Sequence, residues 1–264
     1  MQIADTFYTL GTLPVTGIGL GVSSDVLNNV LSGTVAALVF DDAGKDEIEA
    51  LLNGVADTEF DKNNLEKLLH QVREPEAWRV GEAIAEYYLT ECRNCYFPWP
   101  DGQDERKRWS SLPGADLVGF QNDGDTEHFA FGEVKTSTEP AYPPGTAYGQ
   151  HGLKQQMEDM RDHSEIRDDL VKYLAHRVVN ASWKDRFKTA VGAYLRNDND
   201  VRIFGLLVRD VPPDADDLRI RVHRLGQNCL DSMVIELLAL YLPQSRIASL
   251  GSQVMRTRQS GGAR

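Results

Sequence analysis

Hydrophobic and polar positions alternate along this chain with two different periods, and the change of period marks out its elements. Val35 to Phe40 is a short apolar run closed by Asp41-Asp42 and predicts a buried strand. Ile48, Leu51 and Leu52 recur at helical spacing within Lys45–Leu52, and Leu65, Leu68 and Leu69 repeat the pattern on a following helix. Pro75 then precedes a helix over about Glu76 to Leu89, whose Ala77, Val80, Ile84, Tyr87 and Tyr88 can cover a core. Leu117–Phe120 and His128–Thr136 read as two strands joined by the turn Asn122-Asp123-Gly124-Asp125. Leu153 to Val179 is helical in two pieces, and Trp183–Leu195 is a further helix. Val201–Val208 is a strand, and the alternation Leu-Arg-Ile-Arg-Val-His-Arg-Leu over 218–225 pairs with it as a hairpin across Pro212-Pro213. Cys229–Leu242 reads as an apolar helix, and Ser252–Arg264 as a frayed tail. Polar loops cover Pro98–Gly114 and Thr138–Gly149. The expectation is an α/β fold: an N-terminal α/β extension over residues 1–72, a core with a central mixed sheet flanked by helices over 73–226, and a C-terminal helix and tail over 227–264.

Composition narrows the setting. At 26% charged residues and with no apolar run of 18 or more, the chain reads as globular and without a membrane span. Met1–Leu10 has Asp5 and no basic residue before its apolar positions, so it does not read as a secretory signal, and a cytoplasmic location is expected. Three cysteines are too few and too uneven for a disulfide framework. Cys92 and Cys95 have the spacing of half a zinc site, which Cys229 and His223 could complete; buried or inert thiols are the better reading. Gly17-Ile18-Gly19-Leu20-Gly21 lacks both the dinucleotide-binding spacing and a P-loop lysine, and reads as a flexible turn.

The chemistry concentrates in Pro113-Gly114-Ala115-Asp116-Leu117-Val118-Gly119 and Phe131-Gly132-Glu133-Val134-Lys135-Thr136. Glu133 and Lys135 flank Val134 on one strand and share a face. If the turn pairs the strands, Asp116 approaches Glu133. Two carboxylates and an ammonium on one face cost several kcal/mol per ion to bury unless they are paired or hold metal. Converging carboxylates suit Mg²⁺, which takes oxygen ligands and keeps several waters. A cation so held polarises a phosphoryl oxygen, and the ammonium offsets charge building on phosphate. The competing reading is a solvated strand face of alternating charge.

These residues resemble the PD-(D/E)XK nuclease superfamily, the fold of type II restriction enzymes. The resemblance runs over about half of the chain, and its core order of helix, acidic strands, helix and strand lies over Glu76–Val208. It departs from the shortest motif in having Ala115 before the aspartate, Pro113 two positions earlier and a long gap to Glu133. It implies a restriction-endonuclease-like core in which Asp116 and Glu133 ligate Mg²⁺ (or Mn²⁺) with the Val134 carbonyl, and Lys135 is the catalytic lysine. It implies a glutamate on the first core helix, Glu82 in preference to Glu86, and a glutamine on the helix after the lysine strand, Gln155 or else Gln156. The implied function is metal-dependent phosphodiester hydrolysis, of DNA in preference to RNA. Many such nucleases act beside a helicase or other ATPase in antiphage defence, a Hachiman-type nuclease subunit being one candidate. The alternative is a catalytically silent nuclease-like module that binds nucleic acid or assembles a complex.

With a net charge of −12, a nuclease must concentrate positive charge locally, offset its carboxylates with metal ions or borrow a partner's basic surface. Arg93, Arg106, Lys107 and Arg108 with Trp99 and Trp109 interleave charge and aromatics before Asp116. Lys172, Arg177, Lys184, Arg186 and Lys188, and a stripe of Arg219, Arg221 and Arg224, are the other candidates. His151, His163 and His176 fall on or near the long helical region and read as surface or capping residues.

Overall fold

A computed structural model describes residues 5–53, 55, 58–69, 74–98, 114–124, 126–149 and 151–261. Seven strands form one mixed sheet: β1 (Asp5–Thr12), β2 (Val15–Gly21), β3 (Cys95–Tyr96), β4 (Leu117–Asn122), β5 (Glu127–Ser137), β6 (Val201–Arg209) and β7 (Val234–Tyr241). Their spatial order is β1-β2-β7-β6-β5-β4-β3. The four central strands β2, β7, β6 and β5 run parallel, while β1, β4 and β3 pair antiparallel at the two sides.

Helices cover both faces, as a parallel sheet requires. On one face lie α1 (Ser24–Ser32), α2 (Thr34–Phe40), α5 (Ala77–Arg93) and α10 (Leu250–Gly261), packed on Ala130, Val134, Leu206, Val208 and Leu238. On the other lie α6 (Leu153–Asp162), α7 (Ser164–Ala175), α8 (Lys184–Arg196) and α9 (Arg219–Gly226), packed on Phe129, Phe131, Ile203, Leu207 and Leu237. Two further helices, α3 (Asp42–Asn53) and α4 (Glu59–Leu69), pack on each other beside α2. None of the described helices is long and apolar enough to cross a membrane.

Five sequence expectations are overturned, each by tertiary packing. Val35–Phe40 is helical, because Val35 and Val39, four apart, both point into the core. Leu218–Leu225 is not a strand paired with Val201–Val208: Leu218, Arg221, Val222 and Leu225 are buried at helical spacing in and beside α9. Cys229–Leu242 is not a helix but contains β7, a central parallel strand buried on both faces, whose apolar run therefore shows no alternation. Gly17–Gly21 is not a turn but part of β2. A side chain at Gly17 would overlap Val222 of α9, and one at Gly19 would overlap the Tyr8 ring, so glycine there lets neighbours close over the strand. Ser252–Gly261 is the body of α10, anchored by Leu250 and Val254. Residues 5–21 contribute β1 and β2 to this same sheet. Of the loop expected over 98–114, residues 99–113 lie outside the described residues.

Candidate active site

The antiparallel register of β4 and β5 sets Leu117 opposite Gly132, so one step further brings Asp116 opposite Glu133. Residues directly opposite in an antiparallel pair share a face. Asp116 does not continue the ladder. Its carboxylate oxygen Oδ2 instead accepts the Val134 backbone N–H at 2.7 Å. In a strand the N–H and C=O of one residue face the same neighbour, so the Val134 carbonyl is directed towards the same edge, where β4 has not yet begun. Glu133 and Lys135 alternate about Val134, which faces the opposite core. Lys135 Nζ lies 2.6 Å from Glu133 Oε1. Asp116 and Glu133 are almost wholly buried, at 7% and 4% exposure, while Lys135 keeps its side chain partly open at 23%.

This placement loads the site electrostatically. Burial raises the Glu133 carboxyl to about 8, and the neighbouring Asp116 charge adds to the rise, against the pull of Lys135. Burial also raises Asp116, opposed by Lys135, by the Val134 N–H and by Arg79. For Lys135 burial acts downward, but Glu133, Asp116 and Glu82 outweigh it and hold the ammonium above its ordinary value. Two buried carboxylates offset by one ammonium are what a divalent cation would relieve. Among the described residues no three or more His, Cys, Asp or Glu side chains group to hold a metal. A cation here would take Asp116, Glu133 and the Val134 carbonyl, with water completing the shell, and this donor set fits Mg²⁺.

Helix α5 delivers the next residues. Its Gly81 lies directly against the Thr136 hydroxyl, one position past Lys135. Glu82 is buried and takes Arg79 Nη1 at 3.0 Å, three residues back on the same helix. Glu82 thus joins the field at Lys135, and Arg79 the field at Asp116. Arg79 was not among the sequence candidates; its spacing from Glu82 is the signal that could have found it. Glu86, one turn on, is raised to about 7 by burial, lowered by Arg79 and raised by Asp41, and so sits outside the carboxylate pair.

Helix α6 crosses the site face. Met157 sits against Gly205 of β6, the residue paired with Glu133. Gln155 is not brought to the carboxylates: its Nε2 donates to Asp159 Oδ1 at 2.6 Å, one turn along its own helix. Gln156 is half-buried on the same helix, its N–H bonded to the Gly152 carbonyl.

The cationic candidates are largely engaged locally. Arg93 bonds Glu236 through Nε and Nη2 at 2.6–2.9 Å. Lys172 pairs with Asp169, Lys188 with Asp185 and Arg219 with Asp216. Arg177 stacks on Tyr173, and Arg186 on Tyr96. Arg219, Arg221 and Arg224 form no strand stripe, since they lie on α9. Arg106, Lys107, Arg108, Trp99 and Trp109 lie outside the described residues. Cys92, Cys95 and Cys229 are free thiols. His151 is exposed, His163 bridges α6 and α7 with Glu165 at 3.2 Å, and His176 ends α7. No protein-family model and no curated protein matches the chain.

Proposed function

We propose that the chain is a metal-dependent nuclease of the PD-(D/E)XK kind, with a restriction-endonuclease-like core, hydrolysing phosphodiester bonds of DNA in the cytoplasm. The observation that carries this reading is Asp116 beside Glu133 on one buried face, with Lys135 Nζ 2.6 Å from Glu133 and Glu82 approaching from α5. Asp116, Glu133 and the Val134 carbonyl would hold Mg²⁺ or Mn²⁺, which when bound would supply positive charge at the phosphoryl oxygens. Without metal its carboxylate neighbours favour the Lys135 ammonium, which is placed to donate hydrogen bonds to the phosphate or to orient the attacking water. The Arg79–Glu82 pair lies within α5 and adds its charges to the field at Asp116 and Lys135. Gln155 takes no part in this geometry.

The reading includes a protein partner, a helicase or other ATPase in antiphage defence. Its support is the α3–α4 hairpin, where Ile48, Leu51, Val55 and Phe60 are exposed side chains on an acidic segment. The test is cleavage of plasmid and linear single-stranded DNA with Mg²⁺ or Mn²⁺, comparing wild type with the Glu133→Ala, Lys135→Ala double variant. Metal-dependent cleavage by wild type alone supports the reading, and equal cleavage by both sinks it. No cleavage by either, together with no stabilisation by either cation, favours the silent binding module.

A further inference from the structure

A groove of about 470 Å³ runs between α1 and α10, lined by Asn28, Leu31, Arg246, Gln253, Arg256 and Thr257. No Asp or Glu is among these lining residues, in a chain whose net charge is −12. The sequence on the α10 side is charged the other way: residues 242–264 contain Arg246, Arg256, Arg258 and Arg264 and no acidic residue. Both helices pack with Leu206, Val208 and Leu238 on the face of the sheet away from Glu133 and Lys135, so the groove is separate from the carboxylate site.

Arg246 is the centre of this groove. It is half-buried between β7 and α10. Its Nη2 donates to Asn28 Oδ1 at 2.5 Å and to Gln253 Oε1 at 2.8 Å, which uses both hydrogens of that nitrogen. Gln253 is fixed in turn by donating to Ser249 Oγ at 2.9 Å. The Nε–H is sealed in without a partner. Nη1 makes no hydrogen bond among the described residues, and it is not sealed from solvent. Nor does Arg246 form an ion pair among them. Two neutral amides therefore hold the guanidinium in place across the helix pair and leave its charge unmatched, with the Nη1 donors open. Asn28 Nδ2, on the α1 side, has no partner among the described residues either. A partly buried charge is ordinarily paired, and a guanidinium held by neutral acceptors still lacks its anion.

We infer that the groove between α1 and α10 binds the phosphate group of a small molecule, held by Arg246 Nη1, Asn28 Nδ2 and the Arg256 guanidinium. The planar fork of arginine matches phosphate oxygens. A phosphate monoester carries nearly two negative charges at neutral pH, and the groove presents two guanidinium groups. Its volume falls in the range of small-molecule sites, about 300–1,000 Å³. A long polyanion would meet the acidic remainder of the chain, whereas a single phosphate enters the groove alone. The inference is independent of the nuclease reading, since it uses no residue of the carboxylate site and needs no metal.

The test is equilibrium dialysis of the full chain against radiolabelled AMP in EDTA, which keeps metal out of the carboxylate site. AMP binds wild type, inorganic phosphate competes and adenosine does not. Arg246→Met and Arg256→Met each weaken AMP binding about tenfold or more, as expected for loss of a charge-assisted hydrogen bond. Arg246→Met also removes the bonds to Asn28 and Gln253, so Arg256→Met, a change at an exposed side chain, separates loss of the ligand from loss of the fold. AMP that binds more tightly than inorganic phosphate assigns an ester as the ligand, and equal affinities assign phosphate itself; both support the site. Wild type that binds neither probe overturns the proposal, as does wild-type affinity in Arg256→Met. Binding lost in Lys135→Ala and kept in both arginine variants places the phosphate at the carboxylates and overturns it as well. A thymidine oligonucleotide that binds through Arg246 more tightly than AMP makes the ligand a nucleic-acid strand and overturns the small-molecule assignment.

Discussion

Glu133→Gln should stabilise the metal-free protein at alkaline pH, although it removes a residue of the proposed active site. In the folded chain Glu133 is raised from 4.5 to about 8 by burial and by Asp116. The folded protein therefore binds a proton more tightly than the unfolded chain does. The associated stability is fully present below about pH 4.5 and is lost as pH rises through 8. At about 1.4 kcal/mol per pH unit, the loss has an upper bound of roughly 5 kcal/mol. Glutamine keeps the shape and carries no charge, so the variant lacks this slope. Its Asp116 also sheds a repulsive neighbour. Glu86 contributes a slope of the same sign, but it is present in both proteins and cancels in the difference. Chemical denaturation in EDTA at pH 5 and pH 8.5 measures the effect. The variant should match wild type to about 1 kcal/mol at pH 5 and exceed it by a few kcal/mol at pH 8.5, near 10 °C in Tm at about 2–4 °C per kcal/mol. Mg²⁺ should close the gap at pH 8.5 by stabilising wild type alone. Wild-type stability that stays level with, or rises relative to, the variant from pH 5 to 8.5 would refute the mutual loading of these carboxylates.

Three further outcomes follow from the same geometry. Asp116→Asn keeps an acceptor for the Val134 N–H and should lower Mg²⁺-dependent cleavage by about 10²-fold or more in a plasmid assay, with Tm unchanged or raised. Gly81→Ala drives a methyl group into the Thr136 hydroxyl and should cost about 1–3 kcal/mol by thermal denaturation, largely recovered in the Gly81→Ala, Thr136→Ala double variant. Arg167→Met leaves the carbonyls of Met160, Arg161 and Asp198 without their donor and should lower stability by about 3 kcal/mol in urea, with the neighbouring amides of α6 and α7 losing hydrogen-exchange protection.

The carboxylates and the lysine were legible in the sequence because they depend on short-range geometry. A period of two fixes Glu133 and Lys135 on one face, and the close β4–β5 connection fixes the register, which at Leu117–Gly132 brings the preceding Asp116 beside Glu133. The helix before them was legible too, though it runs on to Arg93. What failed depends on distant neighbours. β7 is Val-Ile-Glu-Leu-Leu-Ala-Leu-Tyr, with few β-branched residues and no alternation, because helices cover both of its faces. The alternating arginines of α9 imitate a strand, and only packing of Val222 against the glycines of β1 and β2 selects the helix. The resemblance points to Gln155 by position alone, but its amide turns along its own helix to Asp159. A stripe of Arg219, Arg221 and Arg224 does not form, and the burial of Arg221 does not show in local pattern.

The position of β7 bears on how the chain is made. It is the last strand in sequence, yet it lies between β2 and β6 and pairs with both. Until residues 234–241 have left the ribosome, β2 and β6 each present an unpaired, largely apolar edge. Chains stalled or cleaved before that point carry two such edges side by side, where another strand of similar character can add. Glu133 on β5 is synthesised about a hundred residues earlier, but the sheet that holds β5 in place closes only with the final strand.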